Sequence, residues 1–377
     1  MLMGWKSKNK RMTFGYKKQE ERQTKEKGRR GKIVERVIEL HRTALLSAAS
    51  VVGGEEKRGP FGKRFDFCDE TGRFGEKTFE KAEGHMVGLA LSLAMKKRGD
   101  GVLPQAVLAG DLQNQCMGTA EGLLPFGLPH LGLYGACSTA TEGLLLASLL
   151  VEGGFLSRAA AVTSSHNAAA ERQFRFPLEY GGQRTPTAQW TATAAAAFLV
   201  GEATEPAPLA LVRAALVGRM VDGGVTDASN MGAAMAPGAA DSLLRFFGAT
   251  GTCPSDYDRI VTGDLGKEGS ALLSLLMERE GMPLSRHEDC GVLLYDESRQ
   301  DIHAGASGCG CSASLLAAHY LPLLQIGGLQ KILFLSTGAI MSPGSLMQGG
   351  GIYGVAPVLL LESPRTEARG KGTERKK

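Results

Sequence analysis

Two stretches of the chain repeat the same order of features at a constant separation. The string Gly135-Ala136-Cys137-Ser138-Thr139-Ala140 begins an apolar, helix-like stretch that ends at a glycine pair and is followed by a strand-like segment. The string Gly308-Cys309-Gly310-Cys311-Ser312-Ala313 begins a second stretch of the same kind. Equivalent positions are 174 residues apart at the cysteines, at the glycine pairs and at the strand ends. An internal repeat of this kind restricts the chain to a duplicated fold.

Weaker matches extend the repeat in both directions. Residues 44–49 match 210–215, residues 109–112 match 262–265, and residues 194–202 resemble 355–362. Each copy predicts strands that alternate with helices, which favours sheets covered by helices on both faces. The sequence therefore predicts an α/β fold in which two duplicated halves pack face to face as a five-layered α/β/α/β/α body.

The repeat and the charge pattern divide the chain into four segments. We predict a basic, disordered extension at 1–41, a first half at 42–204, a second half at 205–362 and a basic tail at 363–377. Residues 1–40 carry a net charge of +8 and residues 363–377 a net charge of +4, whereas the whole chain carries +4. Such ends are typical of solvated tails, and attachment to anionic lipid is the alternative. Nucleic-acid binding is disfavoured because no recognised module accompanies the basic residues.

Cysteine use and hydropathy bear on the compartment. The seven cysteines form an odd set without a disulfide-like pattern, which indicates a reducing environment. No apolar run approaches the length of about 18 residues that a membrane span needs. The N-terminus also lacks the apolar region of a signal peptide. We therefore expect neither a signal peptide nor a transmembrane helix.

Cys137 is the leading candidate for chemistry. A cysteine at a helix start lies where free N–H groups and the helix dipole favour a thiolate. The alternative is a small buried hydrophobe, but the repeated small-residue turn favours a position in a pocket. A nucleophilic cysteine needs a base. His166 follows a strand end in the same half and is the first candidate, and His287 is the second.

The segment after His166 is unusually polar and contains Arg172, Arg175 and Arg184 beside aromatic residues. Arginines in this setting are suited to gripping a planar anion by forked hydrogen bonds and by stacking. A solvated loop or a subunit contact is the alternative that the sequence leaves open. Asp111 and Asp264 each follow a strand at the expected pocket rim, as helix caps or as hydrogen-bond acceptors. Cys309 and Cys311 lack metal-ligand spacing, and we expect them to line the pocket.

Several ungapped strings carry a resemblance to a known family. They are Gly59-Pro60-Phe61-Gly62, Ala109-Gly110-Asp111-Leu112, Gly135-Ala136-Cys137-Ser138-Thr139, Thr163-Ser164-Ser165-His166-Asn167, Ala170-Glu171-Arg172-Gln173-Phe174-Arg175, Glu179-Tyr180-Gly181-Gly182-Gln183, Ala234-Met235-Ala236-Pro237 and Gly308-Cys309-Gly310-Cys311-Ser312-Ala313. Over residues 42–362 the chain resembles the thiolase and ketoacyl-synthase superfamily. Within that superfamily it is similar to the stage V sporulation protein AD family of endospore-forming bacteria.

The resemblance implies a thiolase-like fold that binds dipicolinate (pyridine-2,6-dicarboxylate), alone or as its calcium chelate. It also implies a part in loading that compound into the developing spore, together with membrane proteins of the same operon. The expected location is peripheral, on the cytoplasmic face of the spore inner membrane. Superfamily members usually form dimers, so a homodimer is expected, and no nucleic acid is.

The resemblance also makes catalysis doubtful. The superfamily's enzymes have a nucleophilic cysteine where Cys137 stands, but their second-half histidine motifs are absent, and Thr262-Gly263-Asp264-Leu265 occupies one of those places. We therefore expect a binding protein with no resident cofactor or metal and no catalytic residue. A cysteine-dependent acyltransferase using Cys137 and His166 is the alternative. The predicted ligand-binding residues are Cys137, Ser138, His166, Asn167, Arg172, Arg175, Cys309 and Cys311.

Overall fold

The computed structural model of the chain describes residues 36–175 and 177–365, without the side chain of Leu178. All elements below belong to the unit that begins at Val37. Of the predicted basic segments 1–41 and 363–377, only residues 36–41 and 363–365 are described, and the rest lie outside the described residues.

The unit contains strands, α-helices and short 3-10 turns. The strands are β1 Ile38–Glu39, β2 Thr43–Gly53, β3 Phe67–Asp69, β4 Val107–Gly110, β5 His130–Gly132, β6 Arg158–Ser165, β7 Trp190–Thr191, β8 Ala194–Glu202, β9 Ala210–Leu216, β10 Val221–Asp222, β11 Arg259–Thr262, β12 His287–Asp289, β13 Ala306–Ser307, β14 Lys331–Leu335, β15 Gly338–Ile340, β16 Tyr353–Val355 and β17 Val358–Glu362. The α-helices are α1 Gly54–Arg58, α2 Phe79–Arg98, α3 Met117–Leu123, α4 Thr139–Glu152, α5 Asn167–Phe174, α6 Met231–Thr250, α7 Gly266–Arg279, α8 Cys290–Leu293, α9 Cys309–Leu315, α10 Leu321–Ile326 and α11 Pro343–Met347. The 3-10 turns are Asn114–Cys116, Leu124–Phe126, Ala136–Ser138, Leu178–Tyr180 and Pro254–Asp256, and a π-helical turn, Leu316–Tyr320, joins α9 to α10.

The largest sheet has two halves with the same strand order and the same directions. Its path is β12-β11-β14-β17-β9-β2-β8-β6-β4-β5, so the order outward from β2 repeats the order outward from β9. In each half the outer pairs are parallel and the inner pairs antiparallel. The halves join where Ala44 and Leu45 pair with Leu211 and Ala210. This symmetry is the expected result of a duplicated unit.

Three apolar cores lie between the layers. The middle core lies between the two halves of the large sheet and includes α4, α9 and α10. Leu45, Leu144, Leu315 and Phe334 are among its residues. A second core lies between the outer face of the first-half sheet and α2. A third lies between the second-half sheet and α6 with α7. The layers therefore run α/β/α/β/α, and the predicted fold class is confirmed.

The middle layer contains an apolar helical segment made of α9, the π-helical turn and α10. Cys309–Ile326 is 18 residues long with a mean hydropathy of 1.2, so its length and composition are sufficient for a membrane span. Most of it is buried inside the protein, as expected for a core helix. The sequence-based statement that no run approaches this length therefore needs correction at this helix.

The two halves also meet through polar groups and a close backbone approach. Thr141 of α4 donates to the hydroxyl of Ser336, at 2.8 Å, and the Ser312 and Ser336 hydroxyls are 3.0 Å apart. A Cβ at Gly338 would lie 2.7 Å from the carbonyl oxygen of Gly135, so only glycine permits this approach. The second half is thereby held directly against the turn that contains Cys137.

Candidate ligand-binding site

A cavity of about 140 Å³ lies at the start of α4, beside the 3-10 turn Ala136–Ser138 that contains Cys137. Both halves line it. The first half contributes Leu112, Tyr134, Ala136, Cys137, Ala170, Phe174, Arg175 and Thr191, and the second half contributes Met231, Ser307, Ala339, Ile340 and Met341. The walls are mainly apolar, with one guanidinium, one phenol, two aliphatic hydroxyls and one thiol.

The turn before α4 is fixed by short local hydrogen bonds. The Ser138 hydroxyl donates to the Gly135 carbonyl at 2.6 Å, and the Thr139 hydroxyl donates to the Ala136 carbonyl at 2.7 Å. Ala136 has φ of 51°, a left-handed conformation that costs a non-glycine residue about 1–2 kcal/mol. Such strain persists only where surrounding contacts determine it. Here it directs the Ala136 and Cys137 side chains toward the cavity.

The Cys137 thiol faces groups of the second half. Asp264, the Gly308 N–H and Cys309 are its polar neighbours. Burial, reinforced by the nearby Asp264 carboxylate, raises the pKa of Cys137 well above its ordinary value. The thiol is therefore protonated at neutral pH, and the helix start does not produce the thiolate that the sequence suggested.

Asp264 lies behind Cys137 as a buried acceptor. Its carboxylate accepts from the Gly308 N–H and from the Thr337 hydroxyl, each at 2.8 Å. Burial raises the pKa of Asp264 to about 7, against the lowering effect of these hydrogen bonds. Of the two roles that the sequence left open for this residue, it takes that of a hydrogen-bond acceptor. Asp111 is also a buried acceptor, because its carboxylate accepts from the Gln113 N–H at 2.7 Å and from the Thr119 N–H in the first turn of α3 at 2.6 Å.

Arg175 is the cation of the cavity. Its Nε donates to Oε2 of Glu171 at 2.7 Å, one Nη bonds to the other carboxylate oxygen, and the same Nη lies 3.5 Å from the Thr191 hydroxyl. Within the described residues its second Nη has no hydrogen-bond partner. The side chain is 20% exposed. Arg175 is thus held in place by Glu171 and retains a donor group for an anion.

Gln173 holds the rim beside Tyr134. Its amide donates to the Leu112 carbonyl at 2.9 Å and to the Tyr134 hydroxyl at 3.3 Å, and its oxygen accepts from Asn114 N–H at 3.0 Å. The next two residues, Gln115 and Cys116, both have φ above 50°. The loop that contains Gln115 and Cys116 and the turn that contains Ala136, both with positive φ, therefore lie on either side of the cavity.

His166 and Asn167 do not line the Cys137 cavity. The His166 ring packs on Phe79 and its Nε2 lies 2.8 Å from the Gly72 carbonyl, while the Asn167 amide donates to the Thr191 carbonyl at 3.2 Å. Both residues line a separate pocket. The predicted grouping of His166 with Cys137 is therefore not found, because the residue that follows β6 turns away from α4.

The remaining predicted residues have different environments. Arg172 is 46% exposed, pairs with Glu80 and does not line the cavity. Ser138 does not line the cavity, and its hydroxyl bonds to the Gly135 carbonyl within the turn. Cys309 is buried beneath Leu112, Ala170 and Phe174, with its thiol donating to the Ser164 carbonyl at 2.8 Å. Of the eight residues, Cys137 and Arg175 line the cavity directly.

Cys311 is sealed inside the core. It is 0% exposed, and its thiol lies 3.8 Å from the Gly263 carbonyl. The backbone N–H groups around it are also occupied, since Gly310 donates to Ser165 and Cys311 to the Gly308 carbonyl. The expectation that this residue lines the pocket therefore needs correction.

The other candidate base, His287, is likewise remote from the cavity. It lies on the edge strand β12 with Nε2 2.7 Å from the Thr262 hydroxyl. Burial lowers the pKa of His287 to about 4.

Sequence reasoning missed Tyr134, Thr191, Ser307 and Met231 as lining residues. Tyr134 lies three residues before Cys137, so its position in the sequence could have predicted that it lines the same cavity. Thr191 and Ser307 lie on β7 and β13, which pair in parallel across the two halves. Such a short pairing between distant segments leaves no periodic pattern that a sequence would reveal.

Among residues 36–175 and 177–365, no group of three or more His, Cys, Asp or Glu side chains is arranged to hold a metal ion. The Cys137 cavity presents donors and apolar surface rather than a carboxylate cluster. The arrangement suits a flat, largely apolar molecule with an anionic group.

Comparisons with known sequences point to one family. The sequence model of stage V sporulation protein AD matches residues 35–362. The stage V sporulation protein AD of Bacillus subtilis (strain 168) is 38% identical over 326 residues, which cover 85% of this chain and 95% of that protein.

Solved structures with the same fold include OleA and a 3-oxoacyl-[acyl-carrier-protein] synthase III. A variant of OleA from Xanthomonas campestris matches with a TM-score of 0.55 and 13% identity, over 86% of this chain and 99% of its own. The 3-oxoacyl-[acyl-carrier-protein] synthase III of Aquifex aeolicus VF5 matches with a TM-score of 0.51 and 12% identity, over 85% and 99%. At these identities the likeness shows a shared thiolase-like fold.

Proposed function

Because the chain belongs to the stage V sporulation protein AD family, we propose that it binds dipicolinate, alone or as its calcium chelate, and takes part in moving it into the developing spore. The proposal includes no catalytic step. The observation that supports it most is that Arg175 supplies the single guanidinium among the described residues that line the mainly apolar cavity beside Cys137.

The cavity walls match the chemistry of this ligand. Dipicolinate is a flat aromatic ring with two carboxylates, so its site needs apolar faces and anion donors. Leu112, Phe174 and Ile340 supply apolar surface. The free Nη of Arg175 can donate to a carboxylate, and charge-assisted bonds of this kind contribute about 1.5–3 kcal/mol. The Tyr134 and Thr191 hydroxyls are further donors.

A titration calorimetry experiment with matched arginine variants tests the proposal. Wild-type protein should bind dipicolinate saturably, and Arg175→Gln should weaken binding by about tenfold or more. Arg172→Gln is the control, since Arg172 lies three residues away but outside the cavity, and its affinity should equal that of wild type. Cys137→Trp, which fills the cavity, should abolish binding. Absence of saturable heat with wild-type protein at millimolar ligand would contradict the proposal.

The cysteine at the cavity gives a second candidate, a cysteine-dependent acyltransferase. It is favoured by the access of Cys137 to the cavity and by the Asp264 carboxylate beside it. It is weakened by the raised thiol pKa and by the position of His166 in another pocket. Incubation with acyl-coenzyme A and intact-mass measurement distinguishes the candidates. A mass gain that is lost in Cys137→Ser would favour the enzyme.

We further propose that the protein works at the cytoplasmic face of the spore inner membrane with membrane partners of its operon. The basic residues at 1–40 and 363–377 support this, because each basic group near an anionic surface contributes about 1 kcal/mol. Deletion of residues 1–40 should move the protein from the membrane to the soluble fraction. Unchanged fractionation would exclude a role for this segment.

A homodimer is part of the same proposal. The edge strand β5 and its surroundings expose Leu124, Leu131 and Tyr134, which are 80%, 52% and 50% accessible. An uncovered sheet edge with apolar neighbours suits pairing with a second copy. Sedimentation of wild type and Leu131→Lys tests it, with the variant expected to be monomeric.

A further inference from the structure

A second pocket lies on the other side of the wall that closes the Cys137 cavity. Its volume is about 190 Å³, and α1, the turn Glu70–Gly72, Phe79 and the residues from His166 to Ala168 line it. Trp190 faces this pocket, whereas its neighbour Thr191 faces the Cys137 cavity. Strand β7 and helix α5 therefore separate two spaces that share no lining residue. We name the second space the His166 pocket.

His166 lines this pocket and has an unused acceptor. Its Nε2 lies 2.8 Å from the Gly72 carbonyl oxygen. A carbonyl only accepts hydrogen bonds, so Nε2 carries the proton and Nδ1 of the neutral ring presents a lone pair. Nδ1 is buried, and no partner for it exists among the described residues. The ring is held against Phe79, with centroids 5.3 Å apart, so the acceptor has a fixed position.

Glu56 presents a second unused acceptor. It is 1% exposed, and its Oε1 accepts from the Thr193 N–H at 3.0 Å and from the Tyr295 hydroxyl. Its Oε2 is buried and has no partner in the described part of the chain. A buried polar atom without a partner costs about 1–3 kcal/mol. Two such acceptors in one pocket point to a ligand that supplies hydrogen-bond donors.

The charges of the lining groups leave one carboxylate without a cation. Glu55 pairs with Arg58, and Glu70 pairs with Lys57 and Arg58, whereas Glu56 has no cationic partner among the described residues. Phe79 and Trp190 offer apolar surface for carbon atoms. A metal ion has too few ligands here, because the described residues contain no group of three metal-binding side chains.

We propose that the His166 pocket binds a small aliphatic amine in its ammonium form, whose N–H groups are donated to Nδ1 of His166 and Oε2 of Glu56. The site is distinct from the Cys137 cavity and requires no chemistry there. A primary ammonium has several donors and one positive charge, which matches two acceptors, one of them the carboxylate of Glu56 that has no cationic partner among the described residues.

The test uses the full-length protein labelled with ¹⁵N at histidine and titrated with ethylammonium chloride. The His166 Nδ1 resonance should shift saturably, because this atom gains a hydrogen bond. Tetramethylammonium chloride, which has the same charge but no N–H group, should leave the resonance unchanged. An absent shift, or an equal response to both cations, would mean that the pocket holds solvent only and would overturn the proposal.

Variants locate the binding. Glu56→Gln replaces Oε2 by an N–H donor and should weaken ethylammonium binding at least tenfold. Arg175→Gln, on the other side of the wall, should leave it unchanged. An unchanged affinity in Glu56→Gln would place the cation elsewhere and contradict the assignment. Should Glu56→Gln fail to fold, the comparison of the two cations on wild-type protein decides. Dipicolinate titration of the same samples reports separately on the Cys137 cavity.

Discussion

The two cysteine-bearing turns of the middle layer are related by the internal repeat but differ in access. Ala136 and Cys137 of the first turn line a cavity, whereas Gly310 and Cys311, their equivalents, are fully enclosed. A Cβ at Gly310 would lie 2.1 Å from the carbonyl oxygen of Ala194, so the second turn is pressed against β8. Duplication has therefore preserved the backbone path but not the space around it. One half supplies the thiol, and the other supplies the wall behind it.

The largest expected effect comes from exchanging the residues before the two cysteines. Gly310→Ala forces a methyl group against the β8 backbone and should lower the free energy of unfolding by about 3 kcal/mol. Ala136→Gly relieves a positive φ at an open position and should change it by less than about 1 kcal/mol. Urea denaturation measures both. Equal effects of the two substitutions would show that the turns are packed alike.

The next effect concerns Asp264, which lies behind the Cys137 thiol. Its folded-state pKa of about 7 exceeds the ordinary value of 3.8. The folded state therefore binds the proton of Asp264 more tightly than the unfolded state does. Ionisation of this buried carboxyl lowers the free energy of unfolding, and this penalty is absent at low pH and grows as the pH rises from about 4 to 7. Asp264→Asn removes this penalty, so the free energy of unfolding of the variant relative to wild type should rise as the pH goes from about 4 to 7. Asp296→Asn, at a site where hydrogen bonds from Ser298 lower the pKa, is the control. A constant difference across the window would contradict the assignment.

A smaller effect separates the cysteines themselves. Cys311→Ser places a hydroxyl in the apolar middle core and should destabilise the protein by about 1–2 kcal/mol. Cys137→Ser places the hydroxyl at the cavity, beside Asp264 and the Gly308 N–H, and should cost less than about 0.5 kcal/mol. Thermal unfolding of the two variants in one buffer checks the ranking. The reverse ranking would mean that Cys137 is the more enclosed thiol.

The smallest effect distinguishes the serines that follow the cysteines. Ser312 shares the hydroxyl cluster with Ser336 and Thr141, so Ser312→Ala should cost about 1 kcal/mol. Ser138 bonds only within its own turn among the described residues, and Ser138→Ala should cost about 0.5 kcal/mol. Combining each substitution with Thr141→Val gives a double-mutant cycle. We expect coupling with Ser312 and none with Ser138.

The sequence predicted the architecture because the repeated segments mark equivalent helices and strands in the two halves. Strand ends, glycine stops and apolar spacing are local properties, and the matched segments coincide with β2 and β9, β4 and β11, and α4 and α9. The long helix α2 begins at Phe79, because the Thr78 hydroxyl caps it by accepting from the Lys81 N–H.

Side-chain direction at the site was much harder to predict. Arg172 and Arg175 belong to the same polar segment, but the first faces solvent and the second faces the cavity. His166 follows the expected strand end and yet faces the other pocket. These choices depend on contacts with Phe79, Gly72 and Glu171, which lie on different elements. The cavity is also closed by residues 339–341, whose approach depends on Gly338 rather than on any repeat.

The central position of the apolar helix Cys309–Ile326 has a consequence for biosynthesis. This segment emerges from the ribosome after the first half, whose β6 and β8 already offer the surface that receives it, through the Ser164 and Ala194 carbonyls. A domain that folds in the order of its synthesis thereby shields a stretch that lipid or another nascent chain could otherwise capture. The order of the two halves in the chain therefore has a consequence. A circular permutant that begins with the second half would expose this segment before the β6 and β8 surface that covers it has been synthesised.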